Sequence, residues 1–398
     1  MMLLLVVLAC TNSHKSAADS GRETTDSTDS VSTAYDDTAG DSEAPAGPWE
    51  AGQHAEITVD GQVLLVGTVE GVSSSAPLLF ALDTGADRFY VDADLDAPSR
   101  GNVQFGEVVL ENQGLRSLEL AEAEAAIGWD LAGLAGQPLF ESRVTAFNYP
   151  ASTVHFFDEL PSDAPPQAQG SAATLPYTLT AGIPVVELEL GGGPLSLIAD
   201  TGSGVTLVTE SAFAALDDGN RPRLDGYLWL TSYGQDEGFV TRIPAVDLGD
   251  HVVPETWAVV VPDDNHLLGL LTSVGLDVDG FLGFPFYREH VWVSDGPGTT
   301  FRAWFAADRA HVDPQEWQRV GVEPMWVDGR VVVGMLYRPS SAEGVLELGD
   351  VLVSLDGIDV TSLSLDDVKR QLRGEPGSVV VVGTDRGDFS VARDDLLP

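Results

Sequence analysis

The tripeptide Asp-Thr-Gly occurs twice in the chain, as Asp83-Thr84-Gly85 and as Asp200-Thr201-Gly202. Each copy follows an apolar run, Leu78-Leu79-Phe80-Ala81-Leu82 or Leu195-Ser196-Leu197-Ile198-Ala199, and each precedes a small residue, Ala86 or Ser203. A second signature repeats downstream. Gly133-Leu134-Ala135-Gly136-Gln137-Pro138-Leu139-Phe140 aligns with Gly280-Phe281-Leu282-Gly283-Phe284-Pro285-Phe286-Tyr287 through both glycines, the proline and two closing large apolar residues. Composition alone explains a lone Asp-Thr-Gly but not the shared surroundings, so the chain reads as internally duplicated. Two carboxylates brought together cannot both ionise, so such a pair holds one proton between them. One then serves as base toward a water while the other, protonated, polarises a carbonyl. Asp, Thr and Gly also favour turns, so two unrelated surface turns are the bland alternative.

With its paired motifs, the region resembles the aspartic proteases of the pepsin and retropepsin clan, over about 250 residues. In that clan each half contributes one Asp-Thr/Ser-Gly loop and a later apolar segment ending in Gly that packs beneath it. The resemblance implies a mainly β fold with two retropepsin-like β-barrel lobes related by pseudo-two-fold symmetry. It makes Asp83 and Asp200 the catalytic pair and needs no metal or cofactor. Gly85 and Gly202 lack a Cβ and would let the loops approach closely. Thr84 and Thr201, by resemblance, would tie the loops together across the axis. The run Asp83-Thr84-Gly85-Ala86-Asp87 is similar to retroviral-type sites and makes Asp87 a candidate contact to substrate backbone. Ser203 can donate toward its own loop's carboxylate where Ala86 cannot, which assigns the charge to Asp200 and the proton to Asp83.

The rest of the sequence must position these loops and locate the protein. Alternating runs at Val63 to Val69 and Val185 to Leu190 indicate strands, and Glu210 to Leu216 a short helix. We place a first lobe at 51–165, a joint marked by Pro165-Pro166, and a second lobe at 170–308. The second lobe is the longer between its two signatures. The surplus includes Tyr227-Leu228-Trp229-Leu230 and Phe239-Val240-Thr241-Arg242, a hairpin that could close over a substrate.

Residues 314–398 differ in character. Val320-Gly321-Val322 and the run Leu348-Gly349-Asp350-Val351-Leu352 resemble a bacterial PDZ domain of the type attached to proteases. Ser364 and Asp367 can cap a helix over Leu365 to Leu372. By that resemblance Val368 and Leu372 would line a groove with the strand after Gly321 and Val322, taking an extended peptide or a protein C-terminus as an added strand. A folded spacer that binds nothing is the alternative.

Of 398 residues, 62 are acidic and 20 basic, a formal charge of −42, which argues against nucleic-acid partners and against anionic membrane surfaces. Leu3 to Leu8 is apolar but too short to span a bilayer. Val7-Leu8-Ala9-Cys10 resembles a bacterial lipobox, so 1–10 is expected to be a lipoprotein signal with Cys10 lipidated, and 11–50, rich in Ser, Thr, Asp and Gly, a disordered tether. Cys10 is the only cysteine, which leaves no intrachain disulfide and no thiol for catalysis. The seven histidines lack metal-ligand spacing, so no metal site is expected. These features together predict a monomeric, lipid-anchored envelope aspartic endopeptidase acting on peptides or proteins. The rival is a lipoprotein that binds peptides without cutting them.

Overall fold

A computed structural model of the chain describes residues 8–9, 49–50, 52–58, 61–166, 168–190, 192–216, 221–231, 234–249, 251–296, 299–306 and 316–398. Cys10, most of the expected leader and all but the last two residues of the expected tether lie outside them. The described chain is mainly β. Among the described residues no helix is long and apolar enough to cross a membrane.

The first element is a closed barrel of six strands: β1 (Val63–Val69), β2 (Leu78–Leu82), β3 (Phe89–Asp92), β4 (Arg100–Phe105), β5 (Val108–Leu118) and β6 (Gly133–Ala135). Their order is β1-β2-β6-β3-β5-β4, and β4 returns to β1 at Thr68–Gln104 and Val69–Val103. Helix α1 (Ala121–Ile127) precedes β6, and α2 (Gln137–Ser142) follows it. Side chains alternate across a strand, so each strand serves two cores. Phe80, Leu82, Phe89 and Val91 join one apolar cluster, while Ala81, Tyr90 and Leu134 join another.

A large sheet occupies the middle of the chain. Its strands are β7 (Val144–Asn148), β8 (Thr153–Phe157), β9 (Ala168–Thr180), β10 (Ile183–Glu189), β11 (Pro194–Ala199), β12 (Leu207–Thr209), β13 (Leu224–Thr231), β14 (Gly234–Ile243), β15 (Thr256–Val261), β16 (Gly280–Leu282), β17 (His290–Ser294) and β18 (Thr300–Ala306). They run β13-β14-β15-β12-β16-β11-β10-β9-β18-β17-β7-β8. Helices α3 (Glu210–Leu216), α4 (His266–Ser273) and α5 (Phe284–Tyr287) follow β12, β15 and β16. Because β7 and β8 come from before the 161–166 turn and pair beside β17, one sheet binds the two stretches of chain together.

The strands that carry the Asp-Thr-Gly loops pair alike. Phe80, Ala81 and Leu82 lie parallel to Gly133, Leu134 and Ala135, as Leu197, Ile198 and Ala199 do to Gly280, Phe281 and Leu282. The last of these short strands is in turn antiparallel to the strand after each loop, at Tyr90–Leu134 and Leu207–Phe281.

The C-terminal residues form a hairpin, β19 (Val322–Val327) with β20 (Arg330–Leu336), then β21 (Leu352–Leu355), α6 (Leu365–Leu372), β22 (Val379–Thr384) and β23 (Gly387–Ala392). The Ser364 hydroxyl accepts from the Asp367 amide at 3.1 Å, the cap expected from sequence. Helix α6 turns Leu365, Val368 and Leu372 onto a separate core that includes Val322, Leu355 and Val380.

A buried carboxylate pair as candidate active site

Strands β2 and β11 each run into one Asp-Thr-Gly loop. The Asp83 amide donates to Ala135 O and the Asp200 amide to Leu282 O, both at 3.0 Å, so each loop hangs from the short strand of its second signature. The threonines then lock the loops to one another. Thr84 N–H donates to Thr201 Oγ1 at 3.1 Å, and Thr201 N–H to Thr84 Oγ1 at 2.9 Å. Thr84 Oγ1 donates across to Ala199 O at 2.6 Å, and Thr201 Oγ1 to Leu82 O at 2.8 Å. Each hydroxyl thus accepts once and donates once, which satisfies groups that burial would otherwise penalise.

Absence of a side chain at the next position brings the carboxyl groups together. A methyl group at Gly85 would stand 2.7 Å from Asp200 Cγ, and one at Gly202 would stand 2.5 Å from Asp83 Cγ. Each carboxyl therefore packs over the other loop's glycine. Each also takes its own loop's amide, Gly85 N–H to Asp83 Oδ1 at 2.8 Å and Gly202 N–H to Asp200 Oδ1 at 2.9 Å. The downstream glycines serve the same approach. A methyl group at Gly136 would meet Ala86 O at 2.5 Å, and one at Gly283 would meet Val205 O at 2.0 Å. The residues that follow them donate back to the loops, Gln137 N–H to Ala86 O at 2.8 Å and Phe284 N–H to Ser203 O at 2.9 Å.

Asp83 is 1% and Asp200 0% exposed. Burial pushes Asp83 well above the usual carboxylate range, and the charge of Asp200 pushes it further. Burial raises Asp200 to about 7, against the pull of its carboxyl partner and of the Gly202, Gly85 and Ser203 amides. No cation is among the groups acting on either. Asp200 Oδ2 is buried with no hydrogen-bond partner. Two carboxyls raised together in this way can hold one proton between them, the state that proton transfer to and from a bound water requires.

Four expectations are corrected here. The Ser203 hydroxyl donates to Val205 O at 2.7 Å, so its own carboxylate does not receive it. What lowers Asp200 against its burial is first the Asp83 carboxyl and then the Gly202, Gly85 and Ser203 amides. Asp87 does not stand free for a substrate: Arg88 Nε reaches its Oδ2 at 2.9 Å and the Tyr90 hydroxyl its Oδ1 at 2.7 Å. Val322, Val368 and Leu372 do not line an open groove; all three are 0% exposed in the C-terminal core. Gly321 lies against Ser340, with no room for even a methyl group.

Sequence reasoning missed three supports. Gln137 Nε2 donates to Thr84 O beneath the first loop, a role readable only from its place after Gly136. Tyr149 and Tyr287 are fully buried, stacked with centroids 6.3 Å apart, and both phenols are raised by burial first and by the Asp200 charge as a lesser cause. Tyr287 closes the second signature, whereas nothing in the local sequence marks Tyr149. Among the described residues no cluster of three or more His, Cys, Asp or Glu side chains is arranged to hold a metal ion. Neither a family model nor a curated protein matches the chain.

Proposed function

We propose that the protein is an aspartic endopeptidase. The observation that carries this reading is the reciprocal Thr84–Thr201 lock, which sets two buried carboxyl groups against each other's glycines with no cation nearby. The Asp200 carboxylate takes a proton from a water held between the pair, and the Asp83 carboxyl gives its proton to the oxygen of the scissile carbonyl. The water oxygen bonds to carbon, leaving a neutral tetrahedral diol. As the diol collapses, the Asp200 carboxyl protonates the departing nitrogen and Asp83 recovers a proton from a diol hydroxyl, so the pair ends as it began.

The matching strand pairings about the two loops support two lobes built on one plan, in keeping with the resemblance to the pepsin and retropepsin clan. The C-terminal hairpin, helix and strands fit a PDZ-like domain whose expected groove is filled by its own core. Anchoring through Cys10 and an envelope location rest on sequence alone. Asp83→Asn and Asp200→Asn should each abolish hydrolysis of an internally quenched peptide library while leaving the thermal melt cooperative. Cleavage that persists in both variants would sink the assignment. The near-zero exposure of both carboxyls favours the rival reading, a fold that binds peptides without cutting. That rival predicts no Asp83-dependent cleavage under any condition.

A further inference from the structure

We infer that the C-terminal domain is a latch that seals the carboxylate pair, so that the closed molecule is latent and cleaves only when this domain moves. The inference rests on the endopeptidase reading. Residues two apart on a strand share a face, so Ala81 lies on the face of Asp83 and Ile198 on that of Asp200. Their cross-strand partners, Leu134 with Tyr90 and Phe281 with Leu207, extend the same surface. Left uncovered, this apolar surface beside the pair would be the wall along which a substrate lies. Instead all six side chains are 0–4% exposed. They belong to one continuous buried cluster with Trp317, Met335, Tyr337 and Leu397 of the C-terminal domain.

The domain is tied down on both sides of the pair. Toward the second loop, Asp225 and Arg338 exchange both backbone hydrogen bonds, at 2.8 and 2.9 Å. Gly226 passes so close to Leu336 O that a methyl group there would stand 2.3 Å away. Trp257 meets Trp317 edge-on at 5.2 Å. Arg242 holds the last residues, its Nη2 donating to Leu397 O at 2.6 Å, and the Leu396 amide returns to Trp317 O at 2.9 Å. Toward the first loop, the turn after α1 is wedged against α6 and β19: a methyl group at Gly128 would stand 3.0 Å from Leu365 Cβ and 3.7 Å from Trp326 Cδ1. The position beside α6 and β19, expected to admit a peptide, is thus occupied by the first barrel itself. One domain therefore bridges both halves and shares the apolar cluster in which these six side chains are buried.

The bridge can be locked chemically. Asp225 and Arg338 form a hydrogen-bonded antiparallel pair, whose Cα separation of roughly 5.5 Å suits a disulfide. In the full chain carrying Cys10→Ser, the pair Asp225→Cys and Arg338→Cys is assayed oxidised and reduced with an internally quenched peptide. The reduced protein should cleave, and the oxidised protein should be slower by about 10-fold or more, since the rate scales with the open fraction. Reductant should restore it, which also shows that the oxidised protein is not misfolded. As a second arm, Trp317→Ala and Arg242→Ala should each raise the rate several-fold. Equal rates in oxidised and reduced protein overturn the latch while leaving the endopeptidase reading intact. Absence of Asp83-dependent cleavage even in the loosened variants overturns both.

Discussion

Two of the acidic sites buried among the described residues have opposite character. In the C-terminal domain Glu323 is 8% exposed, with Arg319 Nη2 at 2.8 Å and Lys369 Nζ at 3.3 Å. Burial pushes that carboxyl up, but Arg319, Lys369 and Arg373 outweigh it and hold it below the usual range. Between the Asp-Thr-Gly loops the carboxyls are buried more completely, and burial, with no cation among the groups acting on them, raises both. Depth does not distinguish the two sites; the company does. A buried acid given cations is a fixed charge that holds structure, and one given a second acid is a proton store.

The sharpest way to break this comparison is to neutralise each site in turn. The loss of cleavage expected for Asp83→Asn should come without loss of stability, because a neutral amide replaces a carboxyl that burial already favours in its neutral form. Glu323→Gln should do the reverse, costing about 3 kcal/mol or more by leaving Arg319 and Lys369 without their counter-charge. Denaturant titration of both variants tests the contrast. Similar midpoint shifts would mean that the two sites are not different in kind.

The next largest effect is in pH. Asp200 is raised to about 7 and Asp83 above the usual range, from an ordinary value of 3.8. The folded state therefore binds more protons than the unfolded one between those values, so the stability contributed by the pair is full below pH 4 and lost as pH rises through 7. Glu323, lowered from 4.5, has the opposite sign, its contribution present above that value and lost as pH falls through the lower folded one. Melting temperatures of Asp200→Asn should accordingly flatten between pH 4 and 8 relative to the wild type. A parallel pair of curves would contradict the raised carboxyl.

Close packing supplies a third test. Gly85→Ala and Gly202→Ala would drive a methyl group into the opposite carboxyl and displace it by a good fraction of an ångström, with a loss in kcat/KM of about 10²-fold. Gly114→Ala, with nothing within 4 Å of the added methyl, should leave activity unchanged and serves as the control. The smallest effect is at Ser203. Its hydroxyl bonds Val205 O, so Ser203→Ala should cost about 1 kcal/mol and leave the acid limb of the rate profile in place. A shifted limb would return the hydroxyl to the carboxylate.

Much of the first layer was legible in the sequence. Val63–Val69 is a strand as expected, Glu210–Leu216 is the expected helix, and the surplus between the second pair of signatures includes the hairpin of β13 and β14. The paired motifs marked the residues that meet. Asp87 and Ser203 were misjudged because a hydroxyl or carboxylate of that reach has several acceptors or donors within range. Only the fold decides that Tyr90 and Arg88 take the first and Val205 O the second. Gln137 and Tyr287 sit inside the repeated signatures, but their part, like that of Tyr149, depends on contacts far apart in the chain.

The sequence by itself determined what is local: two small-residue loops after apolar strands, and glycines wherever backbone must pass close. It also determined that any acid pair would be Asp83 with Asp200. Tertiary structure alone decided that these carboxyls lie against one another, how far from water they sit and hence where they titrate. It alone placed Trp317, Tyr337 and Leu397 in one buried cluster with the walls about them. Short-range pattern fixes backbone conformation and which face of a strand is apolar, whereas proton affinity and access depend on the sum of neighbours in space. Those neighbours come from segments more than a hundred residues apart.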